Sequence, residues 1–198
     1  MTALWLASAS SARAELLRRA GVRVEIEPAR IDEGEVKTAM RADKASAAMV
    51  AEALAELKAT RVARRHPGAL VIGADQMLSC EGTWFDKPAD KDQARGHLKA
   101  LRGKAHELTS AICVVRDGVR LWHHQAGATM WMREFSDTFL DRYVDTTGPE
   151  TLESVGAYRV EGPGIQLFAR IDGDFFTILG LPLLPLLDYL RGHGVVAT

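Results

Sequence analysis

The chain has 198 residues, 25 basic against 26 acidic, a formal net charge of −1, and 47% hydrophobic residues. That balance suits a soluble globular domain and excludes a global electrostatic pull toward nucleic acid. Two cysteines, Cys80 and Cys113, exclude a disulfide framework and lack metal-ligand spacing, so they read as buried thiols in a reducing compartment.

The N-terminal run Met1–Leu6 is apolar but lacks a basic region and is too short for a secretory core. No segment reaches membrane-spanning length, so a cytoplasmic protein without a membrane partner is expected. Leu4 to Ala7 reads as a strand, and Ser11 to Ala20 as a helix stopped by Gly21. Val22 to Ile26 alternates like a strand, and a loop holding Ile31-Asp32-Glu33 follows. A long helix is expected from about Lys37 to Arg65, broken near Asp43, with Val50, Leu54 and Leu57 on its apolar line. Pro67-Gly68 ends it. The run 69–74, partly β-branched, then reads as a buried strand stopping before Asp75-Gln76.

Asp90-Lys91-Asp92-Gln93 resembles a capping box for a helix ending at Gly103. Leu108–Val115 and Val119–His123 flank Arg116-Asp117-Gly118, a hairpin signal. Ser136 can cap a short helix carrying Phe139, Leu140 and Tyr143. Val155–Val160 and Gln166–Ile171 suggest two more strands, and Leu183–Arg191 a closing helix before Gly192. Interleaved strands and helices give an α/β class, and the hairpin gives a mixed sheet.

Several side chains carry possible chemistry. Ser8 and Ser10 precede a helix N-terminus, where N–H donors and the helix dipole favour a phosphate, and Arg13 adds a bidentate cation. Plain capping by the same serines is the alternative. Lys58, four residues after Leu54, borders an apolar stripe; it either snorkels or aims its ammonium into a cleft. Asp75 follows a core strand, where an acid can hold a divalent cation or orient water. Pro88 restricts Lys87 to extended geometry. Glu161 sits in a Gly- and Pro-dense stretch, where its carboxylate could accept from a guanine edge and balance a cationic base.

Taken in order, S-x-S-x-x-R at Ser8, Ser10 and Arg13, Glu33 in "IDE", Lys58 in "LKA", Asp75 in "GADQ", Lys87 in "KP", "GAY" and "GLPL" at Gly180–Leu183 resemble the Maf family of nucleoside triphosphate pyrophosphatases. The likeness runs from Leu4 to about Leu190. It implies one Maf-like domain over 1–198: an elongated mixed sheet flanked by helices, two lobes around a central cleft, similar to inosine triphosphate pyrophosphatases. It implies hydrolysis between the α and β phosphates of a nucleoside triphosphate, with a divalent metal, Mg²⁺ or Mn²⁺. Such proteins are often homodimers. By the same resemblance Asp75 is the proton acceptor; Ser8, Ser10, Arg13, Lys58 and Lys87 lie on the phosphate side; and Glu33 and Asp75 lie at the metal.

Gln76 and Glu161 resemble the branch acting on 7-methyl-GTP, whose base is positively charged, and the resemblance implies that these two residues, with position Ala12, read the base. Ala12 stands where that branch commonly has a stacking tryptophan, and Trp84 offers another aromatic surface. Ala14 replaces a second arginine, and Ser11 and Asp86 replace a usual Pro and Gly. The other readings are a dTTP/UTP pyrophosphatase of the same family and a non-catalytic nucleotide-binding regulator of cell division.

Overall fold

The computed structural model describes residues 3–197; Met1 and Thr2, where the reading of the N-terminus begins, lie outside the described residues. The elements in chain order are β1 (Leu4–Leu6), α1 (Ser11–Arg19), β2 (Glu25–Ile26), α2 (Glu33–Ala42), α3 (Ala47–Ala63), β3 (Leu70–Cys80), β4 (Thr83–Phe85) and α4 (Lys91–Leu101). They continue with β5 (Ala105–Arg116), β6 (Val119–Met132), α5 (Asp137–Thr147), β7 (Phe168–Asp172), α6 (Phe175–Ile178) and α7 (Leu183–Gly192). Seven strands form one mixed sheet in the order β2-β1-β3-β5-β6-β7, with β4 pairing β3. β1 is parallel to β2 and β3, while β4 and β7 pair antiparallel with β3 and β6. This is the α/β mixed sheet flanked by helices expected from the residue pattern. Among the described residues, no helix is long and apolar enough to cross a membrane.

Local chemistry explains most element boundaries. Ser10, Asp32, Ser46, Asp90 and Ser136 each accept a first-turn backbone N–H, capping α1, α2, α3, α4 and α5. At α4 the box is offset: Gln93 Oε1 accepts from Ala89 N at 2.6 Å, while Asp90 Oδ1 accepts from Gln93 N at 2.8 Å. The break expected near Asp43 falls there, with Lys44 in the left-handed region at φ 58°. Asp117 and Gly118, with φ 51° and 81°, make the two-residue turn of the β5–β6 hairpin. Both cysteines are buried and free, and burial pushes the Cys113 thiol up to about 12.

Four boundaries differ from the sequence reading. The strand expected at 69–74 does not stop at Asp75 but runs on to Cys80, because β4 supplies a partner through Leu78↔Phe85 and Cys80↔Thr83. Glu33 is not in a loop; it is the first residue of α2, whose cap is Asp32. The strand expected over Val22–Ile26 shrinks to two residues, since the three-residue β1 pairs it only at Trp5 and Leu6. No strand forms over Val155–Val160. There the chain makes a 3-10 turn with Gly156 and Ala157 at φ 76° and 65°, and a second 3-10 segment, Pro163–Leu167, delays β7 to Phe168. A Cβ on Gly156 would stand 2.5 Å from Leu78 Cδ1, so close packing rather than β-propensity sets the path.

The chain divides into two compact units, each discontinuous in sequence. Of the described residues the first comprises 3–76, 109–126 and 175–197; its core joins Leu6, Leu17, Leu70, Ile72, Ile112, Val114, Leu181 and Leu186. The second comprises 77–108 and 127–174. It buries Leu98 and Leu101 of α4 and Leu140 and Val144 of α5, and its Tyr158 hydroxyl meets His106 Nε2 at 2.7 Å.

Candidate active site

Within the first unit, α3 lies directly on β3. An added Cβ at Gly73 would stand 2.0 Å from Ala55 O and 2.9 Å from Ala59 Cβ, so only glycine lets the helix backbone approach this closely. Side chains alternate along a strand, so Gly73 and Asp75 share the face that meets α3. Lys58 is on the buried side of α3, four residues past Leu54, and points at that face. Its ammonium donates to Asp75 Oδ1 at 2.6 Å and pairs with Glu33 Oε1 at 2.7 Å. Glu33 comes from the first turn of α2. Thus three elements bring one ammonium between two carboxylates, with the Lys58 and Asp75 side chains 10% and 6% exposed.

Burial is the main influence on Asp75. It raises the carboxyl above its ordinary value; Lys58 and Arg13 pull it down in part, and the nearby Glu33 charge raises it further. Burial also raises Glu33, but Lys58, Lys37 and Arg13 together outweigh it and hold that carboxyl below the usual range. The two acids are therefore pushed apart, one toward accepting a proton and one toward staying ionised. Asp75 Oδ2 is buried with no hydrogen-bond partner. A buried carboxylate oxygen in that state is a free acceptor for water or a hard cation.

The opposite face of β3 meets Arg13. Burial lowers its pKa, opposed by Asp75 and Glu33, and the guanidinium remains charged. Nε donates to Gly180 O at 2.8 Å, and Nη1 donates to Ala74 O at 3.0 Å and Ser8 Oγ at 3.2 Å. Ser10 Oγ accepts from Arg13 N at 3.4 Å, so the capping role holds for Ser10, whereas buried Ser8 holds the arginine. Gly180 adopts φ 90°, and a Cβ there would stand 3.3 Å from Arg13 Nε and Nη2.

The profile of the family described as Maf-like protein matches residues 3–193 of this chain. The chain belongs to the Maf family. A nucleoside triphosphate pyrophosphatase of Paramagnetospirillum magneticum is 58% identical over 189 residues, covering 96% of this chain and 97% of that protein. One of Granulibacter bethesdensis is 55% identical, covering 98% and 99%. A 7-methyl-GTP pyrophosphatase of Mesorhizobium japonicum is 50% identical, covering 96% of each chain.

The motif residues of this Maf protein do not all fall in one unit. Ser8, Ser10, Arg13, Glu33, Lys58, Asp75 and Gln76 belong to the first, where Lys58, Asp75 and Glu33 converge as described. Ala12, also in the first unit, is half-buried in the first turn of α1. Lys87 and Glu161 belong to the second. Lys87 is exposed just after β4, and Trp84 is half-buried within that strand. Glu161 is exposed, and its Oε1 accepts from Arg159 Nε at 2.9 Å, a partner the motif pattern did not flag. Gln76 Nε2 is committed to Ser110 Oγ, Thr177 O and Ile178 O. Ser110 was also missed; its one signal is a hydroxyl, beside Thr109, directly before the apolar run Ala111–Val115.

The donor set fits a divalent metal of the Mg²⁺ or Mn²⁺ kind. Asp75 Oδ2 is an unpartnered hard oxygen, and Glu33 is a second carboxylate on the same ammonium. Among the described residues, no group of three or more His, Cys, Asp or Glu could hold a metal alone. Two carboxylates are enough for such an ion, because magnesium commonly takes one or two and completes its shell with water and substrate phosphates.

Proposed function

We propose that the chain hydrolyses the α–β phosphoanhydride bond of 7-methyl-GTP, releasing the monophosphate and pyrophosphate. The coarser statement follows from family and identity: it is a nucleoside triphosphate pyrophosphatase, a hydrolase. One observation carries the chemistry: the buried Asp75 carboxylate, one oxygen held by Lys58 and the other unpartnered. Asp75 Oδ2 accepts the proton of the attacking water, and its raised pKa makes it a stronger base than an exposed aspartate. Lys58 keeps the carboxylate oriented. Arg13 and Lys58 offset the charge that develops on phosphoryl oxygens and the leaving pyrophosphate. Glu33 would hold the divalent metal, which when bound lowers the pKa of the water that Asp75 Oδ2 deprotonates and screens phosphate charge.

The 7-methylguanine base is cationic, and Glu161 supports it as counter-charge and guanine-edge acceptor. Two relatives 50% identical to this chain carry the name 7-methyl-GTP pyrophosphatase, which supports the same choice. The test is pyrophosphate release from 7-methyl-GTP, dTTP, UTP and pseudouridine triphosphate, with and without Mg²⁺. Metal-dependent release fastest on 7-methyl-GTP is expected, and Glu161→Gln should narrow its lead over UTP. A lead for dTTP or UTP in the unsubstituted protein would transfer the assignment to those pyrimidines, and nucleotide binding without turnover would leave only a sensor.

A further inference from the structure

Ser110 lies in β5 and is fully buried. A buried hydroxyl is costly unless it is hydrogen-bonded, and this one serves both as donor and as acceptor. Its Oγ donates to Thr177 O at 2.8 Å and accepts from Gln76 Nε2 at 3.0 Å. Gln76 Nε2 also reaches Thr177 O at 3.2 Å and Ile178 O at 3.0 Å. Two N–H groups shared among three acceptors set the orientation of the amide and leave neither N–H for a ligand. What these bonds hold is a turn at the end of α6. Gly180 N closes the turn onto Thr177 O at 3.0 Å, and Gly180 takes φ 90°. The turn aims the Gly180 carbonyl at Arg13 Nε, 2.8 Å away.

The guanidinium is thus gripped from two sides. Ser8 Oγ and Ala74 O hold Nη1, and a carbonyl on the Ser110- and Gln76-bound turn holds Nε. We propose that Ser110 and Gln76 are positioning residues for Arg13: they fix the Gly180 carbonyl and through it the direction of the phosphate-side cation. Gln76 then acts on the phosphate side of the reaction and not by donating to the base. The proposal deepens the pyrophosphatase reading and rests on Arg13 serving the phosphates.

The test compares the unsubstituted protein with Ser110→Ala and Gln76→Met, the latter of similar length without the amide. Two quantities are read: kinetics on 7-methyl-GTP and UTP, and hydrogen exchange of the Arg13 Nε–H by ¹⁵N NMR. Both variants should exchange that proton faster and raise KM about three- to tenfold, the scale of one lost hydrogen bond. The rise should be equal on both nucleotides, leaving their kcat/KM ratio unchanged. A changed ratio with unchanged exchange would place Gln76 on the base and overturn the proposal; so would unchanged exchange and KM. If the unsubstituted protein released no pyrophosphate from any triphosphate, the pyrophosphatase reading would fall, and the exchange rate alone would decide whether the turn positions Arg13. If Ser110→Ala does not fold, Gln76→Met carries both measurements.

Discussion

Lys58–Asp75 in the first unit and Arg95 with its aspartates in the second are built from the same kinds of group at similar distances. Lys58 meets Asp75 at 2.6 Å, and Arg95 meets Asp141 and Asp145 at 2.9 Å each. Their surroundings differ. The Lys58 and Asp75 side chains are 10% and 6% exposed, whereas Asp141 and Asp145 are 57% and 60% exposed. Water around the second cluster solvates both aspartates whether or not they are paired, and Arg95 is 25% exposed, so pairing adds little. In the first cluster Lys58 and Asp75 have lost nearly all their water, while Glu33 is 42% exposed, and removal of one member of the buried pair strands the other. Burial, rather than the short distance, separates a site that can perturb a proton equilibrium from a surface ornament of α4 and α5.

The sharpest way to break that contrast is Asp75→Asn. Loss of the proton acceptor should lower turnover by about 10²- to 10⁴-fold, with circular dichroism unchanged. Retained pyrophosphate release would remove Asp75 from the chemistry. Next comes Lys58→Met, which leaves two carboxylates without their ammonium. It should cost about 3–5 kcal/mol in urea unfolding, and adding Asp75→Asn should restore much of the loss. An additive double variant would show that the pair is not coupled.

A smaller effect sharpens the comparison through pH. Asp75 must be ionised to accept a proton, and its pKa is raised, so the acid limb of kcat/KM should lie above the ordinary aspartate range. Glu33 contributes to that rise, so Glu33→Gln should move the limb to lower pH. Movement to higher pH would contradict the electrostatic assignment. The smallest effect is expected at the surface: Asp141→Asn should leave kcat/KM unchanged and the melting temperature nearly so, and a large loss would mean that exposure does not discount the Arg95 network.

The residues of the buried cluster were legible in the sequence but their meeting was not, and the reason is range. Lys58 was placed on the border of its helix stripe by spacing from Leu54, and Asp75 was placed beside a core strand. Their meeting depends on Gly73, whose missing side chain lets α3 settle onto β3. Nothing within a few residues of Gly73 announces that contact. Asp75 and Gln76 looked like the end of a strand because charge and amide interrupt an apolar run. The ladder continues because β4 waits beyond Cys80, and because both polar side chains find partners, Lys58 on one face and Ser110 on the other.

By itself the chain determined its helix caps at Ser10, Asp90 and Ser136, its Asp117-Gly118 hairpin, its α/β class and its ordered motifs, since each of these signals acts within a turn or two of backbone. Tertiary structure alone decided that β3 passes through Asp75, that residues 155–167 turn rather than extend, that Glu33, Lys58 and Asp75 share one cluster, and that Ser110 reaches Arg13 through Gly180. Those outcomes depend on close packing and on partners supplied by distant segments, and a buried charge or hydroxyl takes its final position only where such a partner exists.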